Sequence, residues 1–136
     1  MSEAKDTRGA YRKSITVKED DLDELNHVNN VRYVQWIQDI SKEHWTTLAP
    51  ASMREAIIWV VMHHDITYKN SAQLGDEIKV STYIEKSRGA VSVRVVEMHD
   101  AKTDELLVRS RTDWCLLNEK TQKPIRISEE IKQVFG

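Results

Sequence analysis

The segment Asp21-Leu22-Asp23-Glu24-Leu25-Asn26-His27-Val28-Asn29-Asn30 gathers the side chains of this sequence best suited to chemistry. Asp23 stands four residues ahead of His27. A carboxylate can draw a proton from water or attack a carbonyl carbon itself. Asn29 or Asn30 can cap a following helix, because the short amide oxygen accepts a free N–H of the first turn. Free N–H groups at such a start point outward and favour an anion. Each group also has a plainer use. Asp21 and Asp23 can solvate a turn, and His27 can satisfy backbone groups at the helix start. A calcium loop from Asp21 does not fit, since it needs a ligand in place of Leu25, Gly in place of Asn26 and Glu in place of Arg32.

Other candidates are weaker. His63, His64 and Asp65 are consecutive, and neighbours along a strand point to opposite faces, so the two imidazoles do not converge on a metal. No metal site is expected. Cys115 is the sole cysteine and lies in the apolar run Trp114–Leu117, which reads as a small buried hydrophobe rather than a nucleophile. It cannot form an intrachain disulfide, which fits a reducing compartment. Arg88 sits at a hairpin tip, where a charge is usually just solvated.

The elements that must position these residues can be read from periodicity. Tyr11 to Lys18 contains Ile15 and Val17 in alternation and reads as a first strand. Val28 to about Trp45 has no Gly or Pro and reads as one long helix. Gln35, Gln38, Asp39 and Lys42 form its narrow wet stripe. Val31, Tyr33, Val34, Trp36, Ile37 and Ile40 cover the wide remaining face, so the helix is mostly buried. Leu48 to Arg54, marked by Pro50, reads as a loop or short turn. Strands follow: the run Ile57 to Tyr68; Ile78, Val80, Thr82 and Ile84 in alternation; Val91, Val93 and Val95 alternating with polar Ser92 and Arg94; and Leu106 to Leu116 with Arg109, Arg111 and Asp113 on the other side. Gly75-Asp76 opens one strand, and Ser87-Arg88-Gly89 and His99–Asp104 are hairpin turns. Pro124 closes the last strand region, and Ser128 caps a short terminal helix with Glu129 and Glu130 in its first turn. The expected class is α+β, a curved antiparallel five-stranded sheet wrapped around one long central helix, in a single domain over 1–136.

Composition narrows the function. The 136 residues are 40% hydrophobic and 31% charged, with a formal net charge of −2, so no basic excess points to nucleic acid. No apolar h-region opens the chain, and no run approaches the roughly 20 residues that span a bilayer. A soluble cytoplasmic protein without a membrane partner is the expectation.

The segment from Asp21 to Ile37 resembles the hotdog-fold thioesterases. It is similar to the 4-hydroxybenzoyl-CoA thioesterase group and still more to the plant and bacterial acyl-ACP thioesterases, through the pattern D-x-D-x-x-x-H-V-N-N-x-x-Y-x-x-W. Tyr68 with Gly75-Asp76-Glu77, and Trp114 through Pro124-Ile125-Arg126, fit later strands of those families. The resemblance implies that Asp23 is the catalytic carboxylate, and that the Asn30 N–H lies near the thioester carbonyl, where hydrolysis builds negative charge. Asp21 is left to a solvated turn. General base and nucleophile both remain open for Asp23. The sequence departs from the pattern at two places. Leu25 stands where acyl-ACP thioesterases carry Asn, and Asn26 stands where the 4-hydroxybenzoyl group often has Gly. Asn26 is a candidate substrate contact and His27 a candidate participant. The plant enzymes contain two hotdog repeats where this chain has one, so a second copy must come from a partner subunit, as a homodimer or homotetramer.

The expected activity is hydrolysis of an acyl-CoA or acyl-ACP thioester to a carboxylic acid and a free thiol. No separate cofactor is needed, because CoA or phosphopantetheine belongs to the substrate. Tyr33, Trp36 and Trp59 are candidate pocket walls. Lys86 and Arg88, bracketing Ser87, are candidates to meet the phosphate end of CoA. The first rival is a hotdog domain that binds acyl-CoA without turnover, which has no use for a carboxylate beside the thioester. A thioester hydratase is a second rival, but its H-G motif is missing. A cone-shaped α+β ligand-binding domain is a third, but that fold normally starts with helices.

Overall fold

The computed structural model describes residues 9–135. The elements run β1 (Tyr11–Thr16), α1 (Asn30–Leu48), α2 (Ala51–Ala56), β2 (Ile57–Tyr68), β3 (Glu77–Arg88), β4 (Val91–Asp100), β5 (Leu106–Asn118) and α3 (Glu129–Val134). All strand pairs are antiparallel, and the order across the sheet is β1-β3-β4-β5-β2. The central helix and five-stranded sheet are those expected from periodicity.

Local chemistry explains the boundaries. Asn29 caps α1, its Oδ1 accepting from the Val31 N–H at 2.9 Å. Ser128 caps α3 through the Ile131 N–H at 3.3 Å. Gly75 adopts φ +84° and Gly89 φ +62°, the left-handed turns that admit glycine without strain. The Leu48–Arg54 region is not a plain loop: Pro50 is the N-cap of α2. Proline fits just ahead of a helix because it has no N–H to leave unpaired there.

α1 lies on the inner face of the sheet, with Tyr33, Trp36, Ile37, Ile40, Ser41, His44 and Trp45 buried. Val31, expected on the apolar face, is instead 73% exposed. It shares the stripe of Gln35, Gln38 and Lys42 at helical spacing and so points away from the sheet.

The core is divided. One cluster joins Tyr33, Trp36, Ile37 and Ile40 to Ile78, Val80, Met98 and Val108. The other joins Trp45, Ala49, Ile57, Leu116, Ile127 and Ile131 near the end of α1. Between them runs a belt of buried polar side chains: Ser41 and His44 from the helix, and Thr82, Ser92, Arg94, Ser110 and Thr112 from the sheet. This corrects the reading of β4 at its start, while Val95 is buried as expected. Val91 and Val93 are only half-buried, whereas Ser92 and Arg94 are buried and turned toward α1. On the outer face, Glu97–Arg109 at 3.0 Å and Glu85–Arg111 at 2.9 Å form cross-strand ion pairs.

Tyr33 ties the first helical turn to the segment before β3. Its hydroxyl accepts from the buried Ala72 N–H at 3.0 Å, and burial raises its pKa. Tyr33→Phe leaves that N–H unpaired and should cost about 1–3 kcal/mol of stability, read as a lower urea midpoint with an unchanged m-value.

Candidate active site

Asp23 sits in a tight loop closed by the Leu22–Val28 bridge. Its N–H donates to the His27 carbonyl at 2.8 Å, and its carbonyl accepts from Asn26 at 3.0 Å. Oδ1 of the side chain accepts from the Leu25 N–H at 2.9 Å and the His27 N–H at 3.1 Å. Short acidic side chains commonly hold turns in this way. Oδ2 has no partner among the described residues. Asn26 adopts φ +63°, a conformation that Asn tolerates better than most residues after Gly. The His27 ring is half-buried and makes no hydrogen bond among the described residues.

Asn30 is the first residue of α1, so its N–H has no partner within the helix. The backbone between Asp23 and the helix start is pinned on both sides: Val28 N–H donates to the Ala72 carbonyl at 3.1 Å, and Asn29 N–H to the Asp21 carbonyl at 2.9 Å. Asp21 is not a solvated turn residue. Its side chain is 12% exposed, pairs with Arg32 Nε at 3.0 Å and accepts from the Lys18 N–H at 2.8 Å. It fastens the loop to the helix. Leu25, within this loop, and Val31, just after it, are 72% and 73% exposed.

A cavity of about 330 Å³ opens beside the other end of α1, between Trp45, Trp59, Ser92, Arg94 and Trp114. A second of about 260 Å³ adjoins it and takes in Ser87. Of the expected pocket walls, Trp59 lines both, while Tyr33 and Trp36 belong to the core. Lys86 and Arg88 are exposed at the hairpin end of β3, the end remote from Asp23, since Glu77 at the strand's start pairs with Thr16. Cys115 is buried, with Sγ 3.9 Å from the Leu116 carbonyl. His64 Nδ1 lies 2.8 Å from Thr112 Oγ1, and among the described residues no three His, Cys, Asp or Glu side chains gather to hold a metal. Among those residues no helix is long and apolar enough to cross a membrane.

At the polar belt Arg94 Nη1 donates to His44 Nδ1 at 2.9 Å and to Thr82 Oγ1 at 2.9 Å. Arginine has no acceptor, so His44 Nδ1 is unprotonated and the ring proton resides on Nε2. Burial, helped by the Arg94 charge and opposed by the Gly9 carbonyl, lowers the His44 pKa to about 4. The folded chain thus binds fewer protons than the unfolded one between pH 6.5 and about 4. Stability is full above pH 6.5 and declines as pH falls through that window, by up to ~3 kcal/mol. His64, also lowered by burial, acts in the same direction. His44→Asn should flatten the dependence of the urea midpoint on pH between 6.5 and 4.5. A slope equal to that of the parent would remove His44 as its source.

The chain matches the family described as "Acyl-ACP thioesterase N-terminal domain" over residues 8–135. It belongs to the acyl-ACP thioesterase family. Among relatives, it is 23% identical over 133 residues to an acyl-[acyl-carrier-protein] hydrolase, FATB3, of Cuphea viscosissima chloroplasts. That match covers 91% of this chain but 32% of the plant protein, so the chain spans about a third of its length. Solved structures agree on the hotdog fold of the family. The YbaW probable thioesterase of Escherichia coli superposes with TM-score 0.79 at 21% identity, over 90% of this chain and 94% of that one. The 12:0-ACP thioesterase of Umbellularia californica gives TM-score 0.81 at 18% identity, over 94% of this chain and 50% of that one.

Proposed function

We propose that this chain hydrolyses an acyl-CoA or acyl-ACP thioester, with Asp23 as the reacting carboxylate. The reading is supported by the free Asn30 N–H at the start of α1, seven residues after a carboxylate whose Oδ2 is unengaged among the described residues. The N–H and the helix dipole stabilise the oxyanion formed on the carbonyl oxygen. In the general-base route Asp23 takes a proton from water as the water oxygen bonds to the carbonyl carbon. In the nucleophilic route a carboxylate oxygen bonds first and water releases the acid afterwards. In both, the carbon–sulfur bond breaks, its electron pair leaves on sulfur, and the thiolate takes a proton. CoA or phosphopantetheine arrives and leaves as part of the substrate.

The helix start and the cavity lie at opposite ends of α1. The 15 residues from Asn30 to Trp45 span ~22 Å. β2 runs antiparallel to α1: Trp59 packs on Trp45 at 5.7 Å, and Tyr68 on Tyr33 at 5.9 Å between ring centroids. β2 is an edge strand of 12 residues, exposing Val60 and Met62. Unpaired edges of that length are normally covered. Antiparallel pairing of β2 with its twofold mate sets Trp59 of one copy near Tyr68 of the other. The Asp23 loop of each copy then serves the cavity of its partner, and Lys86 and Arg88, at the hairpin end of β3, remain the candidates to meet the carrier's phosphates. A homodimer is therefore the working unit.

A second reading, acyl-CoA binding without turnover, draws support from Asp23 Oδ1, which already has a structural task in the turn. A steady-state hydrolysis screen over short, long and aromatic acyl-CoAs separates the two. Thiol release with any of them above the uncatalysed rate supports the hydrolase. Binding with no release of thiol across the screen sinks it.

A further inference from the structure

Arg94 is 4% exposed, and among the described residues no carboxylate pairs with it. Its polar contacts are Nη1 to His44 Nδ1 and to Thr82 Oγ1, and its guanidinium lies 5.1 Å from the Phe135 ring centroid. Both hydrogen-bond partners are neutral, because His44 titrates only near pH 4. An isolated buried cation is costly unless something of opposite charge offsets it.

The cavity beside Arg94 has the matching chemistry. Among the described residues its titratable lining groups are Lys42, Arg54 and Arg94, three cations and no acid. Three residues of its wall carry a buried polar atom without a partner among the described residues: Trp59 Nε1, Trp114 Nε1 and Ser92 Oγ. Indole N–H groups only donate, and guanidinium only donates. The sheet register brings these groups together. Ser92 pairs with Trp114, and Arg94 lies two residues further along β4 on the same face. A donor-rich cavity of about 330 Å³, without an acid among the described residues, suits an acceptor-only, negatively charged occupant. The rest of the wall, Trp45 and Ile58 among it, is apolar and suits a short hydrocarbon spacer.

We propose that the cavity is the acyl subsite for an ω-carboxyacyl thioester, a half-thioester of a dicarboxylic acid, with Arg94 receiving the distal carboxylate. The inference rests on the hydrolase reading for its reaction but not for its binding site. The distal carboxylate accepts from the Arg94 N–H groups that neither His44 nor Thr82 uses, and from the indole and Ser92 donors. Arg94 selects the substrate, while the thioester reacts at Asp23.

Two measurements test this on the full chain. First, tryptophan fluorescence, to which Trp45, Trp59 and Trp114 on the wall contribute, is titrated with hexanoate and with the isosteric neutral hexanamide. The carboxylate should bind at least ~10-fold more tightly, the range of a buried charge-assisted hydrogen bond. Arg94→Met should erase the difference and Arg94→Lys restore part of it. Trp59→Phe, which removes one orphaned donor while keeping an aromatic wall, should reduce the difference several-fold and supplies the test if the Arg94 variants do not fold. Second, kcat/KM is compared for adipoyl-CoA and hexanoyl-CoA. The parent should favour adipoyl-CoA, and Arg94→Met should reverse the order. Equal affinity for acid and amide, or a preference untouched by both Arg94→Met and Trp59→Phe, overturns the subsite. Selective carboxylate binding without hydrolysis of either thioester leaves the subsite standing and removes the hydrolase reading. Hydrolysis of both thioesters at equal kcat/KM, without selective binding, does the reverse.

Discussion

Asp23→Asn is expected to leave a folded protein that still binds acyl-CoA and whose kcat is lower by ~10²–10⁴, the usual worth of a general base. The geometry makes this substitution clean. Oδ1 of Asp23 accepts from the Leu25 and His27 N–H groups, and an amide oxygen in the same place accepts from them equally well. The turn therefore survives while the ionisable group goes. A loss beyond that range points to direct attack on the carbonyl, since no residual base can replace a missing nucleophile. Asp21→Asn is the control. It keeps an acceptor for the Lys18 N–H and loses the ion pair with Arg32, so it should cost at most ~1 kcal/mol of stability and change kcat less than several-fold. Steady-state kinetics on the best substrate, with circular dichroism as the folding check, decides the matter. Wild-type kcat in Asp23→Asn removes the mechanism.

The fold was legible because its main elements carry their own signals. The helix from Asn30 has an amide cap and an unbroken run, and β3 over Ile78–Thr82 and β5 over Val108–Trp114 alternate with one more polar side. β4 misled for a physical reason. Val91, Val93 and Val95 outweigh Ser92 and Arg94 in any pattern that assigns apolar residues to the core. At the start of β4 Ser92 and Arg94 are nevertheless the buried pair, since His44 from α1 and Thr82 from β3 satisfy Arg94 across long sequence separations. Period two identifies two faces but not which one meets the helix. Val31 failed in the same way: an apolar residue on a wet stripe is visible only once Gln35 and Lys42 are placed beside it. Asp23 and Asn30 could be singled out as candidates because the motif is contiguous. Asn26, a departure from the glycine of similar sequences, makes sense only with its φ of +63°. The cavity could not be found, since its wall is drawn from α1, β2, β3, β4 and β5 at once.

The double variant Val60→Glu, Met62→Lys should convert the protein to a folded monomer of about the 15.8 kDa chain mass and lower kcat by more than ~100-fold. Both residues are exposed on β2, at 37% and 60%, so neither change disturbs the core. Charges on an edge strand are the usual device that blocks pairing of edges. The loss of activity follows from the antiparallel course of β2 against α1. In a single chain the Asn30 N–H and the Trp45–Trp59 wall stand ~22 Å apart along the helix. In the proposed dimer it is the twofold mate that brings a carboxylate and an oxyanion donor to the cavity mouth. Light scattering reads the mass and a thiol-release assay reads the rate. Mixed dimers give a sharper check. Asp23→Asn lacks the base, and Ser92→Phe fills the cavity, so each should be inactive alone. Paired in one dimer, they leave one complete site, made from the cavity of the first chain and the Asp23 of the second. Random assembly of equal amounts should then restore about a quarter of the parent activity. Recovery near zero, with mixed dimers demonstrated by tag pull-down, would place the whole reaction within one chain and refute the shared site.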